Sequence, residues 1–289
     1  MATTKIQDLS ENLKPDTNEN FALTFTENGE TKTRLKDLYY SLIPDGAATH
    51  NSVFRGQNLG NLTATHIANI QNGTFKDMFI GDYFQINGSN YVIAGINTKH
   101  LHGDNMQLGN HLLLMPDRFS KSEDGTVLRS NGKDTHYMND TDTTAGGFAG
   151  TKLYKTIMPS IQKKLEADFG NHLLNFREVV STHVDDSGAA DQAEWRDAKL
   201  GIPNEVMIYG TTLSGNNKNG SRYNIGDDDT QLPLFRLDPD EFTNHRDVSF
   251  WLRDIYSASE FATVGSNGDA GWNNASYTWG GIRAFFLIG

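Results

Sequence analysis

The sequence contains no cysteine, which removes disulfides, zinc–thiolate sites and thiol catalysis together and suits a chain that folds in a reducing compartment. It is also short of positive charge: 25 Lys and Arg stand against 36 Asp and Glu, a formal net charge of −11. Phosphate recognition needs clustered cations, so this balance argues against a nucleic-acid-binding face. No apolar run approaches membrane-spanning length, and the opening MATTKIQDLSENLKPDTNEN is polar without an apolar core, so neither a signal peptide nor membrane insertion is expected. G-x-S-x-G, a phosphate loop, a dinucleotide fingerprint and HExxH are all missing, as are internal repeats and heptads.

What is present is a chain of 289 residues with short apolar runs separated by turn residues. Residues 1–20 read as a loosely held polar arm. Phe21–Phe25 alternates in the strand manner, Asn28–Gly29 is a hairpin turn, and Thr31–Thr33 starts the return strand. Leu35, Leu38, Tyr39 and Leu42 then recur at helical spacing until Pro44. A hairpin and one helix bury little alone, so residues 1–45 are expected to dock on identical copies or on a larger assembly, the alternative being packing on their own C-terminal domain.

Further along, Thr63–Gly73 fits a capped helix, and Met78–Ile80 and Tyr91–Ala94 are expected to pair around Asn87–Gly88. Leu112–Met115 reads as a buried strand, residues 117–150 as a long surface excursion, and Thr151–Phe169 as the clearest helix. Leu173–Val180 suits either a helix or a strand, Glu205–Gly210 suits a strand, and Ser214–Asp229 is loop.

The most informative stretch is Ser249–Gly289. Phe250–Leu252 and Ile282–Ile288 suit buried strands, and Asn267–Gly268 turns Phe261–Val264 back as a hairpin. Between them lies a mixture of aromatic and amide side chains of the kind that paratopes use. The order Trp251–Leu252–Arg253–Asp254, Ser257–Ala258–Ser259 with Phe261, Ala262 and Val264, then Gly265 with Asn267–Gly268, Asn274–Ala275–Ser276, and Gly281 with Arg283–Ala284–Phe285 resembles the terminal module of a phage and prophage virion protein family with a C-type-lectin-like fold. Phe54–Gly60, Ile70–Phe75, Ile80–Tyr83, Met115–Asp117, Thr143–Gly147 and Gln231–Phe235 extend the resemblance over roughly residues 52–289. It implies an α+β chain: a C-type-lectin-like domain over residues 46–289, preceded by a small hairpin-plus-helix attachment unit over residues 1–45.

The resemblance further implies a virion surface protein, made in the bacterial host cytoplasm: a head fibre, head decoration protein or tail-associated adhesin, homotrimeric, held to a phage capsid or tail protein by residues 1–45. It places a ligand surface, for a host-surface glycan or protein, on Tyr256, Glu260, Asp269, Trp272, Asn273, Asn274, Tyr277 and Trp279. The alternative is that Trp272 and Trp279 are core residues and the asparagines only make turns. Sulfatase-activating enzymes share the lectin-like architecture but work through cysteine, so that chemistry is excluded.

No catalytic residue, metal or cofactor is expected. His100, His102, Asp104 and His111 lack a ligand spacing and read as loop and core residues. Asp227–Asp229 do not make a calcium loop and read as solvated charge. Asp238, Asp240, Glu241, His245 and Asp247 motivate a rival reading as a glycan-cleaving hydrolase, although Leu237–Pro239 is more simply a turn and cap. Arg253 and Arg283 are expected to pair with Asp254 or Asp82.

Overall fold

The computed structural model describes residues 22–23, 33–34, 39–100, 103–104, 108–116, 137–216, 229–239, 249–278 and 280–289. The chain divides into two compact units, residues 1–44 and 45–289. In the first, β1 (Ala22–Leu23) pairs antiparallel with β2 (Thr33–Arg34), and residues 39–41 are helical. The expected Asn28–Gly29 turn lies outside the described residues.

The second unit is a mixed α+β domain. It opens with α1 (Ala47–His50), β3 (Asn58–Gly60) and α2 (Ala64–Gln71). Thr63 caps α2 by accepting from the His66 N–H, while His66 Nδ1 accepts from the Thr63 N–H, a reciprocal box with histidine in the usual Glu position. Next come β4 (Tyr83–Ile86) and β5 (Ser89–Ile96), which pair around Asn87–Gly88. The expected partner of β5 was the apolar 78–80 run; instead that run makes only a bridge from Ile80 to Phe54, and the strand starts at Tyr83. β6 (Leu112–Pro116) is buried throughout.

Residues 137–150, expected on the surface, bury Met138, Phe148 and Ala149, and Phe148 N–H donates to Ser181 Oγ. Residues 140–143, Ala145 and Gly146 stay exposed as expected, and the buried backbone is satisfied by side chains and neighbouring carbonyls. The expected 151–169 helix begins as a π-helical turn, 153–157, and continues as α3 (Met158–Phe169). β7 (Phe176–Val184) and β8 (Ala190–Ala198) form a hairpin, resolving Leu173–Val180 in favour of strand. After the short β9 (Leu200–Gly201), Glu205–Tyr209 is a helix, α4, rather than a strand. The reason is local: Asn204 accepts from the Met207 N–H at the start, and Gly210 takes φ 79° at the end.

The chain then adds α5 (Pro233–Leu237), β10 (Phe250–Ile255), β11 (Glu260–Val264), β12 (Ala270–Asn274) and β13 (Phe285–Ile288). Among the described residues of this unit three sheets result: β3-β4-β5-β6-β13-β9, the hairpin β7-β8, and β10-β11-β12. Only β3 and β4 run parallel among these pairs.

The C-terminal strand is thus interior to its sheet, held by β6 on one side and β9 on the other. Both faces of β13 are buried, and Phe286 lies between Tyr91 (centroids 5.4 Å apart) and Phe169 (4.9 Å). Removing a ring from so enclosed a site sacrifices both transfer energy and packing. Phe286→Ala should therefore destabilise the domain by about 3–5 kcal/mol, read as a lower midpoint in guanidinium unfolding with an unchanged slope.

Candidate functional site

β10, β11 and β12 form a meander whose register sorts the expected ligand residues onto different faces. Trp272 pairs with Ala262 and Asn274 with Glu260, while Asn273 pairs with Phe261 and Gly271 with Thr263. Because side chains alternate along a strand, Trp272, Asn274 and Glu260 share one face. Tyr256 joins them: its N–H donates to the Glu260 carbonyl (3.0 Å), and its ring stacks on the Trp272 indole with centroids 4.1 Å apart and planes 8° from parallel. Trp272 remains 46% exposed, so it is not a core residue, and Tyr256 covers only part of it. Ser257 Oγ donates to Glu260 Oε2 (2.7 Å), fixing that carboxylate beside the aromatic pair.

Three of the other expected residues, Asn273, Tyr277 and Asp269, do not join this group. Asn273 lies on the opposite face, its Nδ2 reaching Thr263 Oγ1 (3.5 Å). Tyr277, 38% exposed, packs edge-on against Trp251, whose pairing with Thr263 sets it on that same opposite face. Asp269 is exposed at the hairpin tip, where Tyr209 Oη donates to the Gly268 carbonyl (3.1 Å) and braces the turn. Trp279 lies outside the described residues. Next to it, Gly280 packs so tightly on the Trp251 indole that any Cβ there would collide with the ring.

Beneath the meander lies a buried charge cluster that the sequence did not announce. All six residues of β10 are buried, Arg253 and Asp254 included. Arg253 does not pair with Asp254 as expected; Nη1 contacts Glu178 on β7, and Nη2 contacts Asp229 Oδ2 at 2.5 Å. Asp82, the other expected arginine partner, is instead gripped by Arg55 (2.7 Å) and by the Gln57 and Phe79 N–H groups. Asp229 is not solvated either, since Lys99 Nζ contacts its Oδ1 and Asn204 Nδ2 donates to its Oδ2 (2.7 Å). Asp227 and Asp228 fall outside the described residues. Asp254 Oδ2 accepts from the Glu205 N–H (2.8 Å), and the Glu205 carboxylate in turn accepts from the N–H groups of Leu213, Ser214 and Gly215 at 2.8–3.0 Å.

Two cations, Lys99 and Arg253, therefore face four carboxylates, those of Glu178, Asp229, Asp254 and Glu205. Burial without enough compensating charge drives proton uptake. Burial pushes both Glu178 and Asp254 up to about 7, with Asp229 adding to the rise at Glu178 and Glu205 at Asp254.

The remaining titratable candidates are occupied structurally. His111 is buried with Nδ1 against the Gly109 carbonyl (2.9 Å) and Nε2 accepting from the Lys99 N–H (3.1 Å); burial lowers it to about 4 and keeps it neutral. Asp104 pairs with Arg177 (2.7 Å). Among the described residues no three His, Asp or Glu side chains cluster as metal ligands. Asp238 ends α5, whereas Asp240, Glu241, His245 and Asp247 lie outside the described residues. A cleft of about 540 Å³ beside α2 contains Asp168, but its carboxylate is held by Lys164, Asn87 and Tyr91. No family model, no curated protein and no solved structure matches the chain.

The raised carboxyl groups have a consequence for stability. Each binds its proton more tightly in the folded than in the unfolded chain, so folding takes up protons and deprotonation opposes it. Their contribution is present below about pH 4, fades as pH rises towards about 7, and is flat beyond. Melting temperature should fall between pH 5 and pH 7.5 by several degrees (about 4–8 °C per kcal/mol in a small domain, less in one this long). Glu178→Gln, which imitates the protonated acid, should flatten that slope; a melting temperature that climbs with pH would contradict the assignment.

Proposed function

We propose that the protein is a bacteriophage virion surface component, a head fibre, head decoration protein or tail-associated adhesin, whose residues 46–289 form a C-type-lectin-like domain that displays a binding face to the host. The observation that carries the binding part is the stacked Tyr256–Trp272 pair, an exposed indole already immobilised by its neighbour. A rigid aromatic surface loses little entropy when a ligand arrives, and the open indole face can stack on the C–H face of a sugar or on an apolar side chain. Glu260 and Asn274, on the same face, supply a fixed acceptor and an amide for hydroxyl groups. The virion assignment rests on the ordered motifs from Phe54 to Phe285.

Attachment falls to residues 1–45. Tyr39 and Leu42 are 58% and 74% exposed, more apolar surface than a short helical segment ordinarily leaves wet. A homotrimer bound to capsid or tail protein would cover them.

Trp272→Ala should weaken adsorption to host cells about tenfold (~1.4 kcal/mol) while leaving the melting temperature within about 2 °C, because an exposed side chain contributes little to folding. Tyr277→Ala, on the opposite face, should leave adsorption unchanged. Full adsorption by the Trp272 variant would move the binding face elsewhere. Deleting residues 1–45 should leave a folded monomer by light scattering that no longer enters particles, and normal incorporation would remove the attachment role.

A further inference from the structure

Lys99 and Asp229 lie 130 residues apart in sequence and meet in the interior, their side chains 3% and 2% exposed. Lys99 follows β5 in a turn fixed by His111, whose Nε2 accepts a hydrogen bond from the Lys99 N–H and whose Nδ1–H donates one to the Gly109 carbonyl. Its Nζ contacts Asp229 Oδ1 and sits 5.6 Å from the centre of the Phe285 ring. The other carboxylate oxygen, Oδ2, accepts two hydrogen bonds, from Arg253 Nη2 and Asn204 Nδ2. Glu178, 1% exposed, touches Arg253 Nη1, and its charge couples to both Lys99 and Asp229. Gly201 makes room for this carboxylate, since a Cβ there would collide with Glu178 Oε1 and the Phe285 ring.

An amine against a carboxyl group, two donors on the far oxygen and a second carboxyl group nearby are the parts needed to make an amide. The geometry points to a covalent modification: Lys99 Nζ and Asp229 Cγ condense into an intramolecular amide that cross-links the turn after β5 to the segment before α5, with Glu178 as the proton carrier. Proton transfer within the buried pair gives the neutral amine and acid, the forms that a low dielectric penalises least. The Nζ lone pair then attacks Cγ, and the carbonyl electrons move onto Oδ2, where Arg253 and Asn204 stand as oxyanion donors. Glu178 takes a proton from the attacking nitrogen and delivers one to the hydroxyl at Oδ1. The Cγ–Oδ1 bond breaks, water leaves, the carbonyl re-forms at Oδ2 and Glu178 is regenerated. One N–H hydrogen and one hydroxyl are lost as one water; neither oxidant nor cofactor enters.

The alternative is a purely ionic cluster, and the two differ in mass. Purified full-length protein, denatured and weighed by mass spectrometry, should be lighter than its sequence by one water. Tryptic digestion should yield a branched peptide joining Lys99 to Asp229, with no cleavage after Lys99. Lys99→Arg, which keeps the charge, should restore the sequence mass, and Glu178→Gln should leave most of the protein unlinked while circular dichroism shows it folded. A full-length chain at its sequence mass with a free Lys99 peptide overturns the proposal. So does a water loss that maps to another position, such as a succinimide at Asp45–Gly46. Complete cross-linking in Glu178→Gln would remove Glu178 from the reaction.

Discussion

A guanidinium in the middle of a wholly buried strand constrains everything around it. Arg253 cannot leave β10 for water, so carboxylates must come to it, and they arrive from elements distant in sequence: Glu178 from β7 and Asp229 from the segment before α5. Lys99, from the turn after β5, then balances Asp229. The cluster thereby joins β7, β10, the turn after β5 and the segment before α5 at one place. Breaking such a group by removing one partner costs far more than the group contributes over an apolar replacement, because the stranded charge remains buried. Its value is in specifying one arrangement of the sheets rather than in adding stability.

The same region is reinforced through the backbone. Arg253 N–H donates to the Pro203 carbonyl (3.1 Å), and Asn216 bridges the meander to the β7-β8 hairpin by donating to Ile255 (2.6 Å) and accepting from Ala190 (2.9 Å). Glu205 closes the intervening turn by collecting three successive N–H groups. One edge of the meander is fixed in this way, and β12 is left as the other. A rigid inner strand and an exposed outer one are a suitable basis for display, since Trp272 can project from the edge without the fold depending on it.

Much of the secondary structure could be read from local chemistry, and the misreadings have local causes. Asn267–Gly268 and Asn87–Gly88 mark their hairpins because only a few residues accept those backbone angles, and Thr63 marks the start of α2 by its side-chain oxygen. Glu205–Tyr209 reads as a strand from its short apolar run, which fits either period; the Asn204 cap and the Gly210 stop make it a helix instead. Residues 137–150 look like surface by composition, and residues 140–143 are exposed, yet Met138, Phe148 and Ala149 take the ends of the segment inside. Composition averages over a stretch, whereas burial is decided residue by residue.

The site was legible to a lesser degree, for a geometric reason. The resemblance places a ligand surface on eight residues before the last strand, but closeness in sequence says nothing of which face a side chain takes, and a single step along a strand reverses it. Register separates Trp272, Asn274 and Glu260 from Asn273, and only the turn after Ile255 brings Tyr256 onto the indole. The charge cluster was harder still, because positions 99, 178, 229 and 253 converge only once the sheets are assembled, and Asp229 looks in sequence like the end of a solvated acidic run. What could have been noticed is the conflict within Trp251–Leu252–Arg253–Asp254–Ile255, where two opposite charges interrupt a run that reads as core. Such a conflict is tolerated only if partners are supplied from elsewhere. The pairing of β10 with β11 slips between Trp251 and Ile255, and there Arg253 turns to Glu178 and Asp229 while Asp254 accepts from the Glu205 N–H, so each finds its partners on elements distant in sequence.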